Sequence, residues 1–177
     1  VQGNHKPFCI CFCKENDNEI QSFYGYGCEI QFLNEVKKVK NPIVYFHNLS
    51  YDGRMLAKYG IVKAVLKCNK IYAMTVLFNG IKIKFRDSLA LIPDKLSNFC
   101  QLFNLGDDGE KEIFPYNYYN EQTMFEGVVS QVGKEENPPW NINQKNQFVE
   151  NLNKLHLIND EKFNAKEYCI FYCKRDV

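Results

Sequence analysis

The sequence predicts an α/β protein with a mixed sheet flanked by helices, and three patterns carry this prediction. Apolar residues recur at helical spacing within residues 29–38. An uninterrupted apolar run, Ile43–Phe46, follows Pro42 and is typical of a buried strand. The pair Asn79-Gly80 separates two β-rich arms and favours the type I′ turn of a hairpin. Strands and helices therefore alternate along the chain, as α/β folds require.

The first half of the chain contains further strands and a short helix. Phe8–Lys14 and Ile20–Tyr24 are predicted as two strands joined by a turn. Tyr51–Tyr59 is predicted as a short helix that Gly60 ends. Residues 61–85 contain two or three strands, which include the arms of the hairpin.

The second half is less regular. Pro93 marks the start of a helix with an apolar face. Residues 114–155 form an irregular insertion, with many aromatic residues and a helix only at Phe148–Leu155. Asn164 is a suitable N-cap for a last helix that continues to Val177. We expect one domain over residues 1–177.

Composition and charge restrict the function. The chain has 177 residues and a formal net charge of +1, whereas a free-standing nucleic-acid-binding protein is usually far more basic. Any role on nucleic acid must therefore depend on a local site or on neighbouring domains. The sequence has neither a secretory signal nor an apolar run long enough to cross a bilayer. We expect an intracellular location, with which the mitochondrion is compatible.

The chain contains eight cysteines. Cys9, Cys11 and Cys13 alternate, so on a strand they share one face, and Cys169 and Cys173 share one face of a helix. Neither spacing is the C-x-x-C of zinc ribbons. Small buried apolar side chains are the favoured interpretation. Metal binding and disulfides stay open as alternatives.

Two segments contain residues suited to phosphate chemistry. Residues 46–53 lie where a strand gives way to a helix, and Asn48 and Asp52 can point at one volume there. In the last helix Tyr172 and Asp176 are four residues apart and share a face. A carboxylate can hold a divalent cation, and a phenol can orient a water that attacks phosphorus.

Each of these residues also has a plain structural interpretation. Asp52 fits the first turn of a helix, where acidic residues are favoured. Tyr172 can be an ordinary half-buried aromatic residue, and His47 can be a structural histidine. Asp176 differs, because an acid near the C-terminal end of a helix is mildly unfavourable.

Four motifs in order give the chain a family resemblance. His47-Asn48-Leu49-Ser50-Tyr51-Asp52-Gly53 and Tyr172-x-x-x-Asp176 resemble the second and third exonuclease motifs of protein-primed family B DNA polymerases. The segment from Asp87 to Pro93 resembles the Ser-Leu motif of that family, and Lys111-x-x-Phe114 resembles its lysine motif. These polymerases serve linear phages, linear mitochondrial plasmids and large transposons. The resemblance implies a 3′→5′ exonuclease domain with a ribonuclease H-like fold.

The resemblance also implies roles for individual residues. Asp52 and Asp176 would bind catalytic Mg²⁺ or Mn²⁺, Tyr172 would orient the attacking water, and Lys111 would stabilise the scissile phosphate. The partners implied are the 3′ end of single-stranded DNA and the remainder of a polymerase chain or a larger assembly. The residues implied to hold the DNA end are His47, Asn48, Tyr51, Ser88 and Leu89.

One part of the family pattern is not matched. The first motif, Asp-x-Glu, should lie shortly before Lys6 on the first strand, but residues 1–5 contain no acid. We therefore expect the first strand to lack its start. Because each divalent ion needs several anionic oxygens, we also expect this chain alone to have little or no nuclease activity.

Two other functions stay open. An inactive, polymerase-derived piece could serve as a structural or binding subunit of a larger assembly, for example in mitochondria. The near-neutral charge and the unmatched first motif favour it, whereas the presence of Asn48, Asp52, Tyr172 and Asp176 favours a working exonuclease. A small metal-dependent nuclease unrelated to polymerases is disfavoured by the Ser-Leu and lysine motifs.

Overall fold

A computed structural model describes residues 6–104 and 113–177. The described residues divide into two compact units, one formed by residues 6–8 and 26–104 and the other by residues 9–25 and 113–177. Both units contain helices and strands, so the predicted α/β class is confirmed. In the parts of the chain that the structure describes, no helix has the length and apolarity needed to cross a bilayer.

The first unit is built on a four-stranded mixed sheet. The elements of this unit are α1 (Cys28–Val36), β3 (Ile43–Phe46), α2 (Leu49–Leu56), β4 (Ile61–Lys67), β5 (Lys70–Phe78), β6 (Ile81–Asp87) and α3 (Phe99–Phe103). The strand order in the sheet is β3-β6-β5-β4, with β3 parallel to β6 and the other pairs antiparallel.

The predicted hairpin forms between β5 and β6. Phe78 pairs with Ile81, which leaves Asn79 and Gly80 as the two turn residues. Their φ angles are 48° and 81°, and the type I′ turn needs positive values at both positions. The Asn-Gly signal thus fixes the register of the strands β5 and β6.

Apolar faces of α1 and α2 build the core of this unit together with β5 and β6. Gly53 lets α2 lie close to the sheet, since a Cβ there would be 3.3 Å from Leu49 Cδ1 and 3.4 Å from Met74 Cε. The fully buried apolar side chains of this unit include Phe32, Leu33, Leu49, Met74, Val76, Ile83 and Phe85.

The expectation that Ile43–Phe46 is a buried strand is wrong. Ile43 is 51% exposed and Tyr45 is 58% exposed. Among the described strands β3 lies at the edge of the sheet and pairs with β6 alone. An apolar run reports strand propensity, but it does not report how many faces of the strand are covered.

The second unit combines two small sheets with two helices. The antiparallel pair β1 (Cys9–Cys13) and β2 (Ile20–Tyr24) matches the two predicted strands. The remaining elements are β7 (Gly127–Val128), α4 (Ile142–Lys154), β8 (Ile158–Asn159), β9 (Lys162–Phe163) and α5 (Ala165–Arg175). The three short strands form a sheet with the order β7-β9-β8.

Both long helices of this unit begin at an asparagine cap. Asn164 Oδ1 accepts from the backbone N–H of Glu167 at 3.0 Å, which confirms the predicted N-cap of α5. Helix α4 begins earlier than the predicted Phe148, at a capping box between Asn141 and Gln144. The first turns of α4 are polar, so apolar periodicity alone could not locate its start.

Aromatic side chains fill the interior of the second unit. Phe148 of α4 lies 5.0 Å from Tyr168 of α5 and 5.3 Å from Phe163 of β9, between ring centroids. The Tyr168 hydroxyl donates to the carbonyl oxygen of Ile113 at 2.5 Å, and that of Tyr119 donates to Ala165 at 2.7 Å. The residues after Ile113 are therefore fastened to α5 by rings and phenol hydrogen bonds.

Candidate active site

The parallel pair β3 and β6 brings two motif segments to one edge of the sheet. Phe46 is paired with Asp87, the last residues of the two strands. The carboxyl ends of parallel strands face the same way, so the segments that follow them are neighbours. The structure thus brings His47 and Asn48 beside Ser88 and Leu89, four of the residues predicted to contact DNA.

A single buried carboxylate fastens these two segments together. Asp87 is only 7% exposed. Its Oδ1 accepts from the backbone N–H of Asn48 at 3.0 Å and from that of Leu89 at 3.0 Å. Asp87 was not among the predicted site residues. Its position in the Ser-Leu segment could have indicated that it stabilises the backbone of the site.

Both ring nitrogens of His47 have partners within this unit. Nε2 lies 2.8 Å from the carbonyl oxygen of Asp94, which can only accept, so Nε2 carries the hydrogen. Nδ1 lies 3.2 Å from Ser88 Oγ, and the same hydroxyl lies 3.2 Å from the carbonyl oxygen of Phe46. The ring also meets Phe99 edge-on. These contacts make His47 a positioning group, and its contact with DNA stays a prediction.

The start of α2 presents polar and aromatic groups beside this edge. Asn48 is the N-cap and has a left-handed backbone, with φ 74° and ψ 57°. Its side chain is exposed, Tyr51 is 57% exposed, and Asp52 in the first helical turn is half-buried. The Ser50 hydroxyl accepts from Ile71 N–H at 2.7 Å and anchors the helix start on β5. The exposed ring of Tyr51 has the form of a stacking platform.

The third motif lies in the second unit, where Tyr172 is buried and Asp176 is the C-cap of α5. Tyr172 Oη lies 2.6 Å from Tyr116 Oη, and its ring lies 4.5 Å from that of Phe114. Burial, then the bond to Tyr116 and the charge of Asp176 raise the pKa of Tyr172 above its ordinary value. Tyr172 is therefore a neutral phenol that can donate or accept a hydrogen bond.

Three further residues bear on the predicted site. Tyr116 is a partner of Tyr172 that sequence reasoning missed, and no local signal indicates a contact across 56 positions. Lys111 lies outside the described residues, so its role stays a prediction. Asp176 is exposed at the end of α5 and close enough to Tyr172 to affect its pKa.

The family to which the chain belongs follows from its sequence match. The family model for DNA polymerase type B, organellar and viral, matches residues 34–177. This range includes the second motif, the Ser-Leu segment and the third motif. The chain belongs to the organellar and viral type B DNA polymerase family, and the resemblance stated from its motifs is confirmed at that level.

Two fungal relatives are similar to the chain. A protein of Neurospora intermedia named "Probable DNA polymerase" is 29% identical over 160 residues, which cover 80% of this chain and 16% of that protein. A protein of Ascobolus immersus with the same name is 22% identical over 142 residues, which cover 68% of this chain and 11% of that protein. The chain therefore spans less than a fifth of the length of either relative.

A solved structure is also similar. It is the Phi29 DNA polymerase complexed with single-stranded DNA, with a TM-score of 0.46 and 17% sequence identity. The similarity covers 85% of this chain and 32% of that polymerase.

Proposed function

We propose that this chain supplies a 3′→5′ exonuclease, or proofreading, site to a family B DNA polymerase. The reaction would be the hydrolysis of phosphodiester bonds at the 3′ ends of single-stranded DNA. One observation supports this most strongly. Asp87 fastens the second exonuclease-like motif to the Ser-Leu segment at the carboxyl edge of a sheet, with Asn48 and Tyr51 exposed beside Asp52.

The acidic residues suit hard divalent cations. Asp52 and Asp176 offer carboxylate oxygens, which Mg²⁺ and Mn²⁺ prefer to nitrogen or sulfur ligands. When bound, such ions activate water and stabilise the charge that develops on the phosphate. Two carboxylates are few for two ions, so we expect slow or no digestion of DNA by the 177-residue chain alone.

The remaining motif residues would orient the reactants. Tyr172, kept as a neutral phenol, can hold a water through its hydroxyl group, and the Tyr116 hydroxyl restricts the direction of that group. We propose from its motif that Lys111 offsets negative charge on the scissile phosphate. Neither group needs to change its ionisation during the reaction, so their contribution is placement and electrostatics.

The DNA end would be held by contacts that any sequence can make. Tyr51 presents an exposed ring on which a base can stack, and Asn48 presents an exposed amide to the sugar or phosphate. The backbone at Ser88 and Leu89 is held in place through Asp87. Proofreading must accept every base, so stacking suits it better than base-edge hydrogen bonding.

Binding of labelled single-stranded DNA tests this proposal without requiring turnover. Fluorescence anisotropy is measured with Ca²⁺ present to avoid cleavage. We expect Tyr51→Ala to weaken binding about fivefold to a hundredfold, because a stacked base contributes roughly 1–3 kcal/mol. Tyr26→Ala is the matched control, since Tyr26 is 58% exposed in the same unit but belongs to neither of the two motif segments.

Competition identifies the part of the DNA that binds. An unlabelled linear strand with a 3′ hydroxyl should displace the label at lower concentration than a circular strand of the same composition. Equal competition by the two strands would contradict a 3′-end site, and equal losses in the Tyr51 and Tyr26 variants would contradict the stacking role of Tyr51.

A further inference from the structure

Four cysteines of the second unit converge from two elements that are distant in sequence. Cys9 and Cys11 alternate on β1, and Cys169 and Cys173 are one turn apart on α5. The sulfur atoms of Cys9, Cys11 and Cys173 all lie within 4.8 Å of one another. Cys169 lies one helical turn before Cys173 and is close enough to Cys9 to interact electrostatically with its thiol, so a fourth sulfur lies near these three.

Strand alternation alone does not produce this cluster. Cys13 is next in the alternation, but it is exposed, and its thiol lies 2.8 Å from the carbonyl oxygen of Asp17. Cysteines that served only as small apolar side chains would not need their sulfur atoms to meet. The convergence of these particular thiols therefore calls for a chemical explanation.

We propose that Cys9, Cys11, Cys169 and Cys173 form a structural zinc site of four thiolates. A tetrahedral site with Zn–S bonds of about 2.3 Å holds its sulfur atoms about 3.8 Å apart. The sulfur atoms of Cys9, Cys11 and Cys173 are already within 4.8 Å of one another and reach that geometry with small side-chain movements. Cys169, on the same helix as Cys173, would supply the fourth ligand. Binding releases the thiol protons to solvent, so the affinity rises with pH.

Zinc fits better than the other chemistry open to clustered cysteines. A disulfide would bring only two of the sulfurs to about 2.05 Å, and these residues carry thiols. An iron–sulfur cluster would insert several irons and sulfides between the cysteines and hold them further apart than thiols in mutual contact.

The site would join the β1–β2 hairpin to the helix that carries the third motif. The Cys11 thiol already lies 3.8 Å from the carbonyl oxygen of Ile170 on α5. Cys173 directly follows Tyr172, so an ion at the cluster would restrict the helix turn that positions the phenol. This zinc site does not depend on the proposed exonuclease function.

Metal content and cobalt substitution test the site in the unaltered chain. The 177-residue chain is purified under reducing conditions with added Zn²⁺, and bound metal is measured by mass spectrometry. We expect one Zn²⁺ per chain. Replacement with Co²⁺ should give the visible bands of a tetrahedral ion and the sulfur-to-cobalt charge-transfer band of four thiolates. Iron with sulfide instead of zinc, or no bound metal, would overturn the proposal.

Cysteine labelling keeps the test independent of variants that fail to fold. The chain is treated with N-ethylmaleimide with and without Zn²⁺, and the modified residues are mapped. We expect Zn²⁺ to protect Cys9, Cys11 and Cys173, whereas Cys13 and Cys68, which are exposed, react in both samples. Protection that is equal with and without Zn²⁺ would contradict metal binding.

Substitution gives a matched comparison on one strand. Cys11→Ser should weaken Zn²⁺ binding at least about a hundredfold, because it removes one of the four ligands. Cys13→Ser, two residues further along β1, should leave binding unchanged. If both variants lose Zn²⁺ equally, the four clustered cysteines are not the zinc ligands.

Discussion

The two units hold their motif residues by different means. In the first unit, hydrogen bonds to Asp87 fix the segments that follow β3 and β6. In the second unit, Tyr172 is held by the Phe114 ring and by the hydroxyl of Tyr116, which lie far away in sequence. Strand ends can be predicted from local sequence, whereas an aromatic cluster formed by an irregular segment cannot. For this reason the sequence predicts the surroundings of the second motif more fully than those of Tyr172 in the third motif.

Removal of the Phe114 ring from the aromatic cluster of the second unit should have the largest effect on stability. Phe114 is 8% exposed and packs against Tyr119 at 4.7 Å and Tyr172 at 4.5 Å. We expect Phe114→Ala to lower the free energy of unfolding of the second unit by about 4 kcal/mol. Fluorescence of Trp140, the single tryptophan, reports unfolding of this unit in urea.

An exposed phenylalanine in the same unit gives the control. Phe125 is 58% exposed, so Phe125→Ala removes the same group at a cost of less than about 1 kcal/mol. If the Phe114 and Phe125 variants were equally stable, aromatic packing would not be what holds Tyr172.

In the first unit, removal of the Asp87 carboxylate should destabilise the protein slightly less. Asp87→Ala leaves the N–H groups of Asn48 and Leu89 without their acceptor. We expect a loss of about 3 kcal/mol in the free energy of unfolding, measured by circular dichroism in urea. Asp87→Asn keeps an acceptor oxygen and should lose about 1 kcal/mol. Equal losses in the two variants would show that the shared acceptor is not the stabilising feature.

Loss of the ion pair between Glu29 and Lys58 in the first unit should have the smallest effect on stability. The size of this effect depends on pH. Burial would raise the pKa of Glu29, but hydrogen bonds from Lys58 at 2.7 Å and Tyr59 at 3.1 Å bring it below its ordinary 4.5. A lowered folded-state pKa stabilises the protein above pH 4.5, and this contribution is lost as pH falls through the folded pKa.

The corresponding variant is Glu29→Gln. We expect it to be about 1 kcal/mol less stable than the wild type at about pH 7, because Lys58 is half exposed and the ion pair is partly screened. The difference should shrink at about pH 3, where the wild-type carboxylate takes up a proton. A difference that grows on acidification would contradict the assigned sign.

The sequence was informative where one signal determines one structure. Asn79-Gly80 placed the hairpin and its register, and Asn164 placed the start of α5. Parallel pairing of β3 with β6 then brings the two motif segments together. The exposure of Ile43 was missed, because covering a strand depends on neighbours that a local run does not specify.

Other features depend on contacts between distant residues. Asp87 could be recognised as part of a motif, but its two backbone partners are known only once β3 and β6 pair. Tyr116 lies in a segment with no periodicity, and its link to Tyr172 has no sequence signature. The alternation of Cys9 and Cys11 was visible, but the meeting of β1 with α5 was not.

The proposed exonuclease site requires Asp52, beside the edge where β3 and β6 end, to bind a divalent cation, and Mn²⁺ binding tests this most directly. Electron paramagnetic resonance measures free Mn²⁺ with the wild type and with Asp52→Ala, and Asp176→Ala tests the acid of the third motif separately. Glu121→Ala, at an exposed acid, is the control. We predict that Asp52→Ala and Asp176→Ala each bind Mn²⁺ about tenfold more weakly than the wild type, whereas Glu121→Ala binds it equally well. An Asp52 variant that binds Mn²⁺ as the wild type does, or an equal loss in the Glu121 variant, would contradict the proposal.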